Sequence, residues 1–296
     1  MEVNLEKLAF DIDFHPSENL ISAELINGDL FLVLEVHMHT ESCRAVRFIH
    51  EGRAIVTGSP NRSILATDVE TGSTIARLED AHGDAVNRII NLTESTIASG
   101  DDEGCIKIAA FSLVWDTRQR SCTNSFDAHE DYVSDMTFAS DSMRLLGTSG
   151  DGTFSVCNLR RNKIQTQSEF SEDELLNVVI MKKGCKVVCG SQSGTLVLYS
   201  CGYFKDCSDH FDLSPNSVDA LLKLNEDRII TGSENGLISL VGILPYRIIQ
   251  PIAEHSEYPI EHLGTGNSEV SLHIWDLDDI LQNPGNALNN QAAVEQ

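Results

Sequence analysis

The chain is poor in aromatic residues, in proline and above all in positive charge. Trp occurs twice and Pro seven times, and 21 Lys and Arg stand against 45 Asp and Glu, a formal charge of −24 over 296 residues. So few basic groups exclude nucleic-acid binding through bulk electrostatics, because phosphates need a basic face. They are equally poor for an anionic membrane surface. No apolar run approaches the 18 or more residues that a membrane helix requires, and Met1 to Phe10 carries Glu2, Glu6 and Lys7 where a signal peptide needs an apolar core. The expectation is an intracellular chain with no membrane contact.

Catalytic signatures are missing too. There is no P-loop Gly-Lys-Ser/Thr, no His-Glu-x-x-His and no Gly-x-Ser-x-Gly, and Gly264-x-Gly266 lacks the third glycine of a dinucleotide fingerprint. The eight cysteines are scattered. The closest, Cys185 and Cys189, have no second pair at zinc-ligand spacing, so they read as reduced thiols packed on strands. These absences predict no catalytic residue, no metal and no cofactor.

What is present is a repeat. Seven polar turn residues recur, Asn27, Asn61, Glu103, Asp151, Ser193, Asn235 and Glu269, and five of them precede a glycine. Such pairs favour tight hairpins, whose turns need positive φ. Their spacings are 34, 42, 48, 42, 42 and 34. The flanking apolar residues alternate with period 2, as strands do. A four-stranded unit of about 40–45 residues is the size of a propeller blade.

Two further positions recur. Six residues after the turn comes an aromatic-acid pair, Trp275-Asp276, or a degenerate form: Thr67-Asp68, Cys157-Asn158, Tyr199-Ser200 and Val241-Gly242. Trp115-Asp116 follows Glu103 only after twelve residues. About 14 residues further on stands a histidine, His82, His129 or His255, with His39 and His210 in looser register. Ala81-His82 and Ala128-His129 fall where a Gly-His pair belongs.

From about Leu8 to Asp276 this pattern resembles the WD-repeat family, with Gly-His near the start of each unit and Trp-Asp near its end. The resemblance implies an all-β propeller of seven blades over residues 1–281, monomeric, with a disordered tail over 282–296. Glu2 to Leu5 would supply the missing outer strand. It also implies that His82, Glu103, His129, Asp151, His255, Glu269, Trp275 and Asp276 hold the blades together by hydrogen bonds.

Three irregularities break the period. Ala109 to Val114 reads as a six-residue insertion ahead of Trp115. The two spacings of 34 shorten blade 1 in its outer strand and blade 7 in its inner or second strand. Together they look like an alternative transcript or an imperfect gene model.

One motif points to a partner. Trp115-Asp116-Thr117-Arg118, after Ile97 to Ile108, resembles the box by which some WD-repeat proteins dock on the adaptor, a DNA-damage-binding protein subunit, of cullin-4 ubiquitin ligases. Arg118 would be an exposed guanidinium making bidentate bonds to that adaptor. Val156 to Arg160 is a weaker echo, with Arg160 as the anchor. Arg118, Arg120, Arg160, Arg161 and Lys163 follow third strands and form a basic patch in an acidic chain. Leu8 to Pro16, Glu41 to Phe48 and Trp275 to Leu277 resemble one branch of the family in its plant form. That implies a nuclear, nucleolar or partly cytoplasmic protein. Two roles come with it: cullin-4 substrate receptor, or a nucleolar factor in ribosomal RNA processing linked to development.

Overall fold

The computed structural model describes residues 9–18, 20–25, 29–31, 35–37, 39, 41–111, 122–254, 260 and 263. Every sheet in them is a four-stranded antiparallel meander in chain order, and there are six. They fall into two compact units, within Leu5–Leu175 and within Leu176–Leu263.

The first unit holds four sheets. They are β1 (Ala9–Phe14) to β4 (Glu35–His37), β5 (Ala45–Ile49) to β8 (Thr74–Leu78), β9 (Val86–Thr93) to β12 (Cys122–Asp127), and β13 (Val133–Ala139) to β16 (Lys163–Gln167). In chain order the inner strands of these sheets are β2 (Ile21–Leu25) and β3 (Asp29–Phe31), β6 (Ala54–Gly58) and β7 (Ile64–Asp68), β10 (Thr96–Asp101) and β11 (Cys105–Ala110), and β14 (Arg144–Ser149) and β15 (Phe154–Asn158). The second unit carries β17 (Leu175–Met181), β18 (Lys186–Ser191), β19 (Thr195–Ser200) and β20 (Asp209–Asp212), then β21 (Val218–Lys223), β22 (Arg228–Ser233), β23 (Leu237–Gly242) and β24 (Arg247–Glu254).

The repeated turns join the second strand of each sheet to its third. Gly104 and Gly152 adopt φ of +79° and +73°, and a Cβ there would lie 2.4 Å from the His129 carbonyl oxygen and 2.2 Å from that of Ser171. Glycine is therefore required both by the turn and by the strand entry that crosses it. Asn27 and Glu269 themselves lie outside the described residues.

The core sits between successive sheets. Ala45, Val56 and Ile64 of the second sheet pack with Val86, Ile89 and Ile97 of the third. Ile106 and Phe126 pack with Val133 and Leu145 of the fourth. In the second unit Met181, Val188 and Leu198 meet Val218, Ile229 and Val241. Strands such as β6 and β14 are covered on both faces, which is why Ala54 to Gly58 is buried throughout and does not alternate.

The first sheet is the short one: β3 and β4 have three residues each. Four-stranded meanders of this kind are the blade unit of an all-β, WD-repeat propeller. Glu2 to Leu5, the seventh unit apart from Ile260 and Leu263, and the 282–296 tail lie outside the described residues.

Candidate functional site

Three of the repeat histidines are buried, and each is held at both ring nitrogens. His39 Nε2 lies 2.8 Å from Thr57 Oγ1, His82 Nε2 2.7 Å from Ser99 Oγ, and His129 Nε2 2.8 Å from Ser155 Oγ. Thr57 and Ser99 occupy the same place on the second strands β6 and β10. In the fourth sheet that place belongs to Gly147. Ser155, directly opposite Gly147 on β15, reaches across the vacancy to the ring.

The Nδ1 side is built in two ways. In the second and fourth sheets the turn residue acts through a hydroxyl. Asn61 Oδ1 accepts from Ser63 Oγ at 2.6 Å, and Ser63 meets His39 Nδ1 at 3.2 Å. Asp151 Oδ1 accepts from Thr153 Oγ1 at 2.6 Å, and Thr153 meets His129 Nδ1 at 2.8 Å. In the third sheet the corresponding position holds Cys105. There Asp101 contacts His82 Nδ1 directly at 2.8 Å. The acid of that network is therefore Asp101, not the turn residue Glu103, which is exposed and whose N–H donates to Asp101 Oδ1 at 3.1 Å. The strand-end position that Asp101 holds is Ser59 and Ser149 in the other two sheets, so the carboxylate comes from the strand here, where Cys105 offers only a weakly hydrogen-bonding thiol.

The electrostatics fit networks satisfied internally. Burial alone raises the Asp101 carboxyl, but hydrogen bonds from His82 and from the Cys105 and Glu103 N–H groups outweigh it and hold the acid below its ordinary range. Asp151 is depressed in the same way by His129, Thr153 and the Glu130 N–H against its burial. Burial pushes His39 down to about 4, with the Arg77 charge adding to the effect. His82, Asp101 and Cys105 bring three ligand-type atoms within 4.8 Å of one another. Both His82 nitrogens are engaged, and burial raises the Cys105 thiol, which also meets Ser125 Oγ at 3.3 Å. The trio is a hydrogen-bonded brace. His210 is exposed on β20, while His255, Glu269, Trp275 and Asp276 lie outside the described residues.

The third strand of the third sheet corrects the position of the insertion. Thr96 pairs with Ala110, as Ala54 pairs with Asp68 and Arg144 with Asn158. Ala109-Ala110 thus fills the place of the Trp-Asp pair, and buried Phe111 follows as Val69 and Leu159 do elsewhere. Ala109 and Ala110 are strand residues of β11 and Phe111 is the buried residue that follows it, so these three are not looped out of the sheet. Trp115, Asp116 and Arg118 lie outside the described residues.

The described counterparts of the Trp-Asp-x-Arg turn share one geometry. Asp68 Oδ1 accepts the Thr71 N–H at 2.8 Å, and Asn158 Oδ1 accepts the Arg161 N–H at 3.0 Å. The residue at the position of Arg118 is Glu70 in one turn and Arg160 in the other, and both are exposed. Arg160, Arg161 and Lys163 are exposed on one hairpin, and among the described residues no ion pair involves them. Lys107 stands apart, its ammonium donating to the Ala81 carbonyl at 2.9 Å.

One cluster escaped sequence reasoning. Asp11 Oδ2, 2% exposed in its side chain, accepts Arg47 Nη1 at 2.6 Å and the Val46 N–H at 3.0 Å, and Asp13 Oδ2 accepts the Phe48 N–H at 2.7 Å. Burial works against the Arg47 charge, but Asp11 and Asp13 more than restore it. These residues tie β1 to β5. The signal available was the pair of acids in Phe10-Asp11-Ile12-Asp13-Phe14, which sit on one face of an otherwise apolar strand.

The sheets, the hairpin turns and the histidine networks define a WD-repeat protein. A family model described as WDR55 matches residues 1–281. The WD repeat-containing protein 55 of Arabidopsis thaliana is 62% identical over 312 residues, covering 97% of this chain and 86% of that protein. The Bos taurus protein of that name is 33% identical over 297 residues, covering 93% and 76%. WD repeat-containing protein JIP5 of Cryptococcus neoformans is 31% identical over 306 residues, covering 92% and 80%. The chain belongs to the WDR55 family. An alignment of 312 residues exceeds the 296 of this chain, so the match requires interior gaps in it.

Proposed function

We propose that the protein is a non-catalytic interaction scaffold that docks on the adaptor subunit of cullin-4 ubiquitin ligases as a substrate receptor, through arginines at hairpin tips. The observation that carries this reading is Arg160. It projects from the turn braced by Asn158, exposed and outside any ion pair among the described residues of a chain of charge −24. A planar guanidinium so presented suits bidentate contact with a carboxylate partner. Arg118, in Trp115-Asp116-Thr117-Arg118, has the spacing from Asp116 that Arg160 has from Asn158. The buried histidines are committed to bracing the sheets, which leaves the hairpin surfaces for recognition. Residence in the nucleus, with a nucleolar and a cytoplasmic fraction, belongs to this proposal.

The test is a pulldown of the full chain with the purified adaptor, comparing wild type with Arg118→Ala, Arg160→Ala and the double variant. Loss of capture in the variants supports docking. Absence of capture by wild type, or capture that neither substitution changes, overturns it. The second reading, a nucleolar factor in ribosomal RNA processing, rests on the family resemblance. It predicts that depletion accumulates ribosomal RNA precursors and that the double variant restores processing as well as wild type.

A further inference from the structure

The five sheets from β5 onward end their second and third strands on the same bond. The N–H of the residue after the third strand donates to the carbonyl of the residue before the second: Val69 to Arg53, Phe111 to Ser95, Leu159 to Met143, Cys201 to Cys185 and Ile243 to Asp227. Only the β17–β20 sheet has cysteine at both positions. The β18–β19 ladder pairs Lys186 with Ser200, and its next step sets Cys185 opposite Cys201, with the Cys201 N–H 3.0 Å from the Cys185 oxygen. Residues opposite each other in an antiparallel ladder point to one face of the sheet. At a hydrogen-bonded pair the Cα atoms are about 5.5 Å apart, inside the Cα range of disulfides, and the Cβ atoms about 5.5 Å apart, so closure requires them to approach by about 1 Å at this open end of the ladder. Val69, Phe111, Leu159 and Ile243 bury or pack that side chain in their own sheets, whereas Cys185 and Cys201 are both exposed.

We propose that Cys185 and Cys201 are a modification site, closing as a cross-strand disulfide by exchange with a low-molecular-weight disulfide. One thiolate attacks the small disulfide, breaking its S–S bond, forming a mixed disulfide and releasing one small thiol. The second thiolate then attacks the protein sulfur and expels the other small thiol. Two cysteines are oxidised, one small disulfide is reduced to two thiols, and the two protons leave with them. The bond staples the hairpin from Cys185 to Cys201 that carries the turn at Ser193 and Gly194. Cys207 is the other exposed thiol among the described residues, and Cys189 on the same hairpin is fully buried.

The experiment treats the full chain with oxidised glutathione and maps disulfides by mass spectrometry without reduction. Wild type and Cys207→Ser are expected to lose about 2 Da and yield the Cys185–Cys201 link. Cys185→Ser and Cys201→Ser are expected to lose the link and keep a glutathione adduct on the remaining thiol. Oxidation is expected to raise the thermal midpoint of wild type and Cys207→Ser alone, because closing a loop restricts the unfolded chain. A link that uses Cys207, glutathione adducts without a link in wild type, or unreacted thiols would overturn the proposal. Wild type and Cys207→Ser decide the matter even if a substitution in the pair impairs folding.

Discussion

Ser155 Oγ lies 2.8 Å from His129 Nε2, at the place where Ser99 serves His82 from the neighbouring strand. The exchange is possible because Gly147 carries no side chain: a Cβ on it would come within 3.1 Å of Ile106 Cδ1, 3.3 Å of Ser155 Oγ and 3.4 Å of His129 Nε2, so a serine there needs the flexible end of Ile106 to give way. The same bond is thus made from either strand of the hairpin.

Ser155→Ala removes the acceptor or donor for a fully buried ring nitrogen. A loss of about 1–3 kcal/mol is expected, read as a lower urea midpoint. Adding Gly147→Ser should restore part of it, since a serine there takes up the Ser99 role. A double variant weaker than Ser155→Ala would refute the equivalence of the two strands.

His39 makes stability fall with acid. Its folded-state value of about 4 lies below the ordinary 6.5, so the unfolded chain takes up the proton first. Stability is then lost as pH falls from about 6.5 toward 4, by about 2 kcal/mol between pH 7 and pH 5. His39→Gln should flatten this dependence in urea titrations at the two pH values. Asp101 and Asp151, held below their ordinary range, contribute their loss only further down, as pH falls through their folded values.

Two glycines of similar φ separate backbone conformation from crowding. Gly72, at +66°, has nothing within 4 Å of an added Cβ, whereas at Gly104 the His129 carbonyl stands in the way. Gly72→Ala should cost about 1 kcal/mol and Gly104→Ala more than twice that. Thermal or urea unfolding of the two variants measures the difference.

Phe111 tests the strand register. It is 6% exposed and packs in the core between the second and third sheets. Phe111→Ala should destabilise by about 3–5 kcal/mol. An effect near zero would return the residue to a looped-out insertion.

Asp11 and Arg47 form a pair in which one partner is almost wholly buried. Arg47→Met leaves the Asp11 carboxylate without its cation, and a loss of about 3 kcal/mol is expected at neutral pH. Asp11→Asn/Arg47→Met, which removes both charges, should lose less than the two single changes summed, a coupling read from a double-mutant cycle.

The repeat was legible without coordinates. Turn residues before glycine and period-2 apolar runs are local chemistry, and they place the hairpins at Asn61, Glu103, Asp151, Ser193 and Asn235. His82 and His129 were marked by spacing, and His39 only in looser register. What spacing could not decide is which side chain faces which ring. Asp101 rather than Glu103 binds His82, at a position that is serine in the second and fourth sheets, and Ser155 replaces a second-strand serine where Gly147 makes room. The first is a choice between two residues of one hairpin and the second between two paired strands. Likewise the sequence by itself set the period, but only the pairing of Thr96 with Ala110 decided that Ala109 and Ala110 continue the strand. The hydrogen-bond ladder and the burial of Phe111 are made with residues distant in the chain, so the position of the Trp-Asp motif in the sequence could not show them.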